Sequence, residues 1–241
     1  MGMLLLWGFA AQAQDPVQWA EAMRAFAAED ATSAPPTNAI VFTGSSSIVF
    51  WKTLHEDMAP LTVINRGFGG STMREALYWL DKVALQYRPR AVVLYEGDND
   101  IGYYGLKAEK VVEDFKLLAA RLHTELPATR LYFLAIKPSI LRWKSWPEMR
   151  RANELIRAIC ERDPRLQFID VASPMLNEAG QPRNELFEAD DLHLNAKGYA
   201  LWASLVRPVL LEEEGDHQAQ VISPARRVPV AWLNAIRSRY T

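Results

Sequence analysis

Five short apolar runs recur along the chain, at residues 39–43, 62–65, 91–95, 130–136 and 167–171. Each is nearly continuous rather than alternating, and loops rich in Gly, Ser, Asn or Pro flank it. That is the pattern of strands buried on both faces of a parallel sheet. Between the runs the apolar positions switch to a helical period: Met73, Ala76, Leu77, Leu80, Val83 and Ala84 share one face, as do Val111, Val112, Phe115, Leu118, Ala119 and Leu122. Residues 148–160 and 196–211 extend the alternation. Strands alternating with helices predict an α/β fold, a three-layer αβα sandwich joined by right-handed crossovers.

The pattern changes at both ends. Residues 3–11 are an apolar run followed by Ala11-Gln12-Ala13, a small-x-small arrangement like a signal-peptidase site, although a basic segment before it is missing. Residues 1–14 are therefore expected to be the remnant of a signal peptide, implying export to the periplasm or beyond. The other reading is an apolar helix start packed on the domain, which leaves a cytoplasmic protein. After Leu211 the periodicity gives way to Glu212-Glu213-Glu214-Gly215-Asp216, and residues 212–241 are expected to form a peripheral, solvated tail around a domain of residues 15–211. No later apolar run approaches the ~18 residues a membrane span needs, so no stable membrane insertion is expected.

Composition narrows the partners. With 27 basic and 29 acidic residues the net charge is −2, so no overall field attracts nucleic acid, and small neutral substrates fit best. Cys160 is the single cysteine, which excludes a disulfide framework or thiolate metal cluster, and its helical context predicts a buried, unreactive thiol. Nothing in the pattern sets the oligomeric state.

In an open parallel sheet, ligands bind beyond the C-terminal ends of the strands. There the first three strands run into Gly44-Ser45-Ser46-Ser47, Asn65-Arg66-Gly67-Phe68-Gly69-Gly70 and Glu96-Gly97-Asp98-Asn99-Asp100, and a fourth polar cluster, Asp190-Asp191-Leu192-His193, precedes the last helix. Each alone is an ordinary turn or helix cap. Their coincidence on one edge points to acyl-transfer chemistry, which needs a hydroxyl nucleophile, a base held by a carboxylate, and donors for a developing oxyanion. Of the four histidines, His55 and His123 lie in helical stretches and His217 in the tail, whereas His193 shares a loop with Asp190 three residues before it.

These blocks resemble those of the SGNH hydrolases, the GDSL-type esterase/lipase family, in correct order over residues 40–211. The family's Gly-Asp-Ser block reads Gly44-Ser45-Ser46, so the nucleophile maps to Ser46, with Ser45 in place of the aspartate and Ser45 and Ser47 as neighbouring registers. Gly70, beside Gly69, matches the glycine whose N–H faces the oxyanion. Gly97-Asp98-Asn99-Asp100 matches Gly-x-Asn-Asp in full, and Asp190 and His193 match Asp-x-x-His. The resemblance implies a flavodoxin-like sheet order of 2-1-3-4-5, a triad of Ser46, His193 and Asp190, and an oxyanion hole made by the N–H groups of Ser46 and Gly70 and the Asn99 side chain. It implies no cofactor and no metal. The Gly-x-Ser-x-Gly elbow of the α/β-hydrolases does not occur.

Two readings from other classes compete. Glu96, Asp98, Asp100, Asp190 and Asp191 could gather Mg²⁺ in a phosphohydrolase. Alternatively the fold could be a non-catalytic carbohydrate- or lipid-binding module using Arg142-Trp143-Lys144-Ser145-Trp146 as an aromatic platform, although tryptophans so close are more often buried loop anchors. Arg66 and Arg142 could meet an acidic substrate or form surface ion pairs. Acyl length and alcohol group are not legible; a short acyl ester, of an acetylated sugar or a lysophospholipid, is the expectation.

Overall fold

The apolar runs become five parallel strands: β1 (Ile40–Gly44), β2 (Val63–Gly67), β3 (Ala91–Tyr95), β4 (Arg130–Leu134) and β5 (Leu166–Ile169). They form one sheet in the order β2-β1-β3-β4-β5, as the resemblance implied. The computed structural model describes residues 15–215; the expected signal remnant and all but the first residues of the expected tail lie outside them. Every residue of β1 and β3 is buried, which is why those runs are continuous, whereas the edge strand β5 leaves its two central residues partly exposed.

Between and around the strands run α1 (Ala20–Thr32), α2 (Ser46–Val49), α3 (Leu54–Met58), α4 (Met73–Tyr78), α5 (Leu80–Val83), α6 (Asp98–Gly102), α7 (Ala108–Glu125), α8 (Trp146–Cys160) and α9 (Ala196–Glu214). The step from β1 to β2 moves along the sheet opposite to every later step, so right-handed crossovers place its helix on the opposite face from those of the later ones. Accordingly α7 packs between α4 and α8, while α9 packs with α3. The reversal also makes the boundary between β1 and β3 the point where loops diverge and a crevice opens. Among the described residues no helix is long and apolar enough to cross a membrane.

Three local expectations change. The helix expected through residues 73–84 is broken at Trp79, which caps both α4 and α5 and whose indole N–H donates to the Pro16 carbonyl at 2.7 Å. The long-range bond fixes Trp79 where a straight helix would carry it elsewhere. Second, residues 212–214 are not solvated tail but the last turn of α9. Glu214 is 2% exposed and accepts from Arg130 Nε at 2.7 Å and Tyr132 Oη at 2.6 Å, with Arg90 Nε at 3.6 Å. Third, Arg66 is no surface charge. It is buried between the rings of Phe26 and Tyr87 and reaches Asp30 at 2.5 Å and Glu29 at 3.2 Å, which docks α1 onto the sheet. Cys160 is buried as expected, and burial pushes its thiol up to about 12.

Candidate active site

The turn after β1 is set by a contact only glycine permits. Gly44 has φ +134°, and a Cβ there would lie 2.0 Å from the Tyr95 carbonyl oxygen of the neighbouring strand. With that approach available, Ser45 N–H donates to Tyr95 O at 3.2 Å and the chain turns directly into α2, of which Ser46 is the first residue. Its amide therefore lies in the first turn, where a helix supplies no carbonyl partner. Ser45 and Ser47 are each 2% exposed, while Ser46 is partly exposed. The hydroxyl of Ser46 is the one that meets His193, with Oγ 3.0 Å from Nε2.

His193 is held from its other side. Nδ1 lies 2.5 Å from Asp190 Oδ2, while Asp190 Oδ1 accepts from the backbone N–H of Leu192 at 3.0 Å and of His193 at 2.9 Å. The carboxylate thus winds its own loop, helped by Asp191 at φ +59°, a conformation Asp tolerates. Burial alone would raise the Asp190 carboxyl, but the bonds from the His193 ring and the two N–H groups outweigh it and hold it at about 2. Phe50 sets its ring edge-on to the imidazole at 4.9 Å. A cleft of about 610 Å³ opens beside His193 and Asp190, bordered also by Phe50, Glu188 and Tyr199.

The glycine loop after β2 closes against Ser46. Phe68 N–H donates to Gly44 O at 2.8 Å, and a Cβ on Gly69 would lie 3.8 Å from Ser46 Cβ. Gly70 turns at φ +84° under the Trp19 indole, and its N–H enters no backbone hydrogen bond among the described residues. Asn99 is the second residue of α6, behind the cap Gly97, and its Nδ2 donates to Ser71 O at 2.8 Å, tying the third block to the second. The structure thus brings Ser46, Gly70, Asn99, Asp190 and His193 to one edge of the sheet.

Four of the five acids of the metal alternative go to separate partners. Glu96 Oε1 accepts from Ser71 Oγ at 2.5 Å, Asp100 accepts from Met73 N–H at 3.1 Å, Asp98 pairs with Lys137 and Arg142, and Asp190 holds His193. Among the described residues no three His, Cys, Asp or Glu side chains are grouped to hold an ion. Burial pushes the Asp100 carboxyl from 3.8 up to about 7, and raises Glu96 well above its ordinary range. Folded Asp100 thus keeps a proton that the unfolded chain releases between about pH 4 and pH 7, so its contribution to stability falls as pH rises through that window. Asp100→Asn keeps the acceptor for Met73 and never ionises. Relative to that variant, the wild type is expected to lose a few kcal/mol between pH 4 and pH 7 in urea titrations. Parallel stability curves would show that Asp100 does not titrate there.

Lys137 was not singled out from sequence, and Arg142, read as meeting an acidic substrate or forming a surface ion pair, instead forms a largely buried ion pair with Asp98. Arg142 Nη1 donates to Asp98 Oδ1 at 2.7 Å and Nη2 to Asn99 Oδ1 at 3.0 Å, while Lys137 Nζ donates to Asp98 Oδ2 at 3.0 Å. Lys137 lies just beyond the end of β4, so inspecting the fourth strand end as closely as the first three would have flagged it. The aromatic platform dissolves: Trp146 is 8% exposed and stacks on Trp143 at 6.2 Å, so the pair anchors its loop.

Comparison with known proteins places the chain in a family. Residues 32–201 match the GDSL-like lipase/acylhydrolase family. Platelet-activating factor acetylhydrolase IB subunit alpha1 of Bos taurus is 28% identical over 86% of this chain and 90% of its own. A GDSL-like lipase of Bacteroides thetaiotaomicron superposes with a TM-score of 0.68 at 18% identity, covering 79% of this chain and 98% of that one. A family 3 carbohydrate esterase of Clostridium thermocellum superposes at 0.60 and 18%, covering 74% and 97%. These two likenesses concern the fold.

Proposed function

The chain belongs to the GDSL-like lipase/acylhydrolase family and is an ester-bond hydrolase, and on that premise we propose that it cleaves short-chain acyl esters with Ser46 as nucleophile, His193 as general base and acid, and Asp190 as the group that orients His193. The observation that carries this reading is the unbroken relay from Asp190 Oδ2 to His193 Nδ1 at 2.5 Å and from His193 Nε2 to Ser46 Oγ at 3.0 Å. Ser46 Oγ attacks the ester carbonyl as Nε2 takes its proton. The imidazolium, stabilised by Asp190, then protonates the departing alcohol. Water activated by the same imidazole releases the acid and restores Ser46.

Charge developing on the carbonyl oxygen is received by the N–H groups of Ser46 and Gly70 and by Asn99 Nδ2. Asn99→Ala is therefore expected to lower kcat by roughly 10²- to 10³-fold with little change in KM, since the oxyanion exists only in the transition state. A loss expressed in KM alone would remove Asn99 from that role.

The acyl group we propose is acetyl or similarly short, on a carbohydrate or lysophospholipid-like alcohol. The bovine relative is named an acetylhydrolase and one fold neighbour a carbohydrate esterase, which supports that choice. Hydrolysis rates across p-nitrophenyl esters of increasing chain length test it. The acetate is expected to have the highest kcat/KM, and a maximum at long chains would redirect the assignment to lipase-type substrates.

A further inference from the structure

We infer that Arg142 is a positioning residue for the oxyanion hole, fixing the orientation and strengthening the polarity of the Asn99 amide. The inference rests on the proposed role of Asn99. An asparagine amide has two nearly isosteric orientations, and only the one directing Nδ2 inward can stabilise an oxyanion; the other presents Oδ1 and repels it. A guanidinium has donors and no acceptor. With Arg142 Nη2 at 3.0 Å, the oxygen of Asn99 must therefore face Arg142. That leaves the two N–H bonds of Nδ2 on the other side, one taken by Ser71 O at 2.8 Å and the second free for the substrate.

Arg142 is itself held firmly. Its Nη1 donates to Asp98 Oδ1 at 2.7 Å, its backbone N–H donates to Ser139 Oγ at 3.2 Å, and its stem lies across Gly102, where a Cβ would come 2.3 Å from Arg142 Cδ. The Arg142 side chain is 12% exposed and that of Asp98 7%, so the interactions are little screened by water. Asp98 is shared with Lys137 at 3.0 Å, so two cations face one carboxylate and a net positive charge stands behind the Asn99 carbonyl. A cation bonded to the amide oxygen draws electrons from nitrogen and makes Nδ2–H a better donor. Both effects act on the transition state.

A double-mutant cycle on p-nitrophenyl acetate tests this, with wild type, Arg142→Ala, Asn99→Ala and the double variant, active sites being counted by fluorophosphonate labelling. Arg142→Ala is expected to lower kcat by about 10- to 100-fold with KM within about 2-fold, because it impairs one oxyanion donor rather than deleting it. Arg142→Lys should recover part of the loss. In the Asn99→Ala background, Arg142→Ala should cost less than about 2-fold further, the non-additivity expected when one residue acts through the other. An equal loss in both backgrounds, or a loss in KM that marks direct substrate binding, overturns the inference while leaving the Asn99 role intact. A fully active Asn99→Ala overturns that role and the inference with it. Should Arg142→Ala fail to fold, the cycle is run with Arg142→Gln, which retains a donor, and the same non-additivity is required.

Discussion

On the proposed mechanism, Ser46→Ala is expected to abolish turnover of a chromogenic acetate ester, lowering kcat by roughly 10⁴- to 10⁶-fold, because removing the nucleophile of an interdependent triad leaves only binding and oxyanion stabilisation. The neighbouring hydroxyls cannot take over in place: Ser45 and Ser47 are each 2% exposed, and Ser46 Oγ is the one 3.0 Å from His193 Nε2. Losing one partly exposed hydroxyl should leave the circular dichroism spectrum and melting temperature close to those of wild type. Full activity in a folded Ser46→Ala protein would exclude Ser46 as nucleophile and return attention to Ser45, Ser47 or metal chemistry.

Asp190→Asn is expected to be nearly as damaging, at about 10⁴-fold in kcat, although it changes one atom. Asp190 as carboxylate has only acceptors, so Nδ1 must carry the proton and Nε2 keeps a lone pair for the Ser46 hydroxyl. An asparagine amide can instead donate to Nδ1, which puts the proton on Nε2 and leaves the histidine unable to act as base. Because its hydrogen bonds hold the Asp190 carboxyl at about 2, ionisation of Asp190 should not shape the pH–rate profile above about pH 3. The measurement is kcat against pH for both proteins. A loss of less than tenfold would mean that the fold, rather than Asp190, sets the tautomer.

Much of this arrangement is legible in the amino-acid sequence. Buried parallel strands must be apolar throughout, so β1 and β3 announce themselves, and the turns that leave β1, β2 and β3 need backbone freedom, hence the positive-φ glycines at 44, 70 and 97. Asp190 and His193 were legible because a three-residue spacing is local, and one loop can realise it without help from the rest of the chain. The break at Trp79 and the burial of Glu214 were not legible. The first depends on Pro16, 63 residues away, and the second on Arg130 and Tyr132, more than 80 residues away.

The same division runs through the chemistry. Residue types, their order, and their position at strand ends were determined by the sequence itself, since burial, turn geometry and chemical capacity are properties of short segments. Which of the three serines meets His193, 147 residues downstream, was decided by packing, and so was the convergence of Arg142 and Lys137 on Asp98 from 44 and 39 residues away. A serine in a turn and an arginine in a loop carry no mark of the partner they will meet. Only packing of the whole sheet brings those atoms within 3 Å, where they form hydrogen bonds.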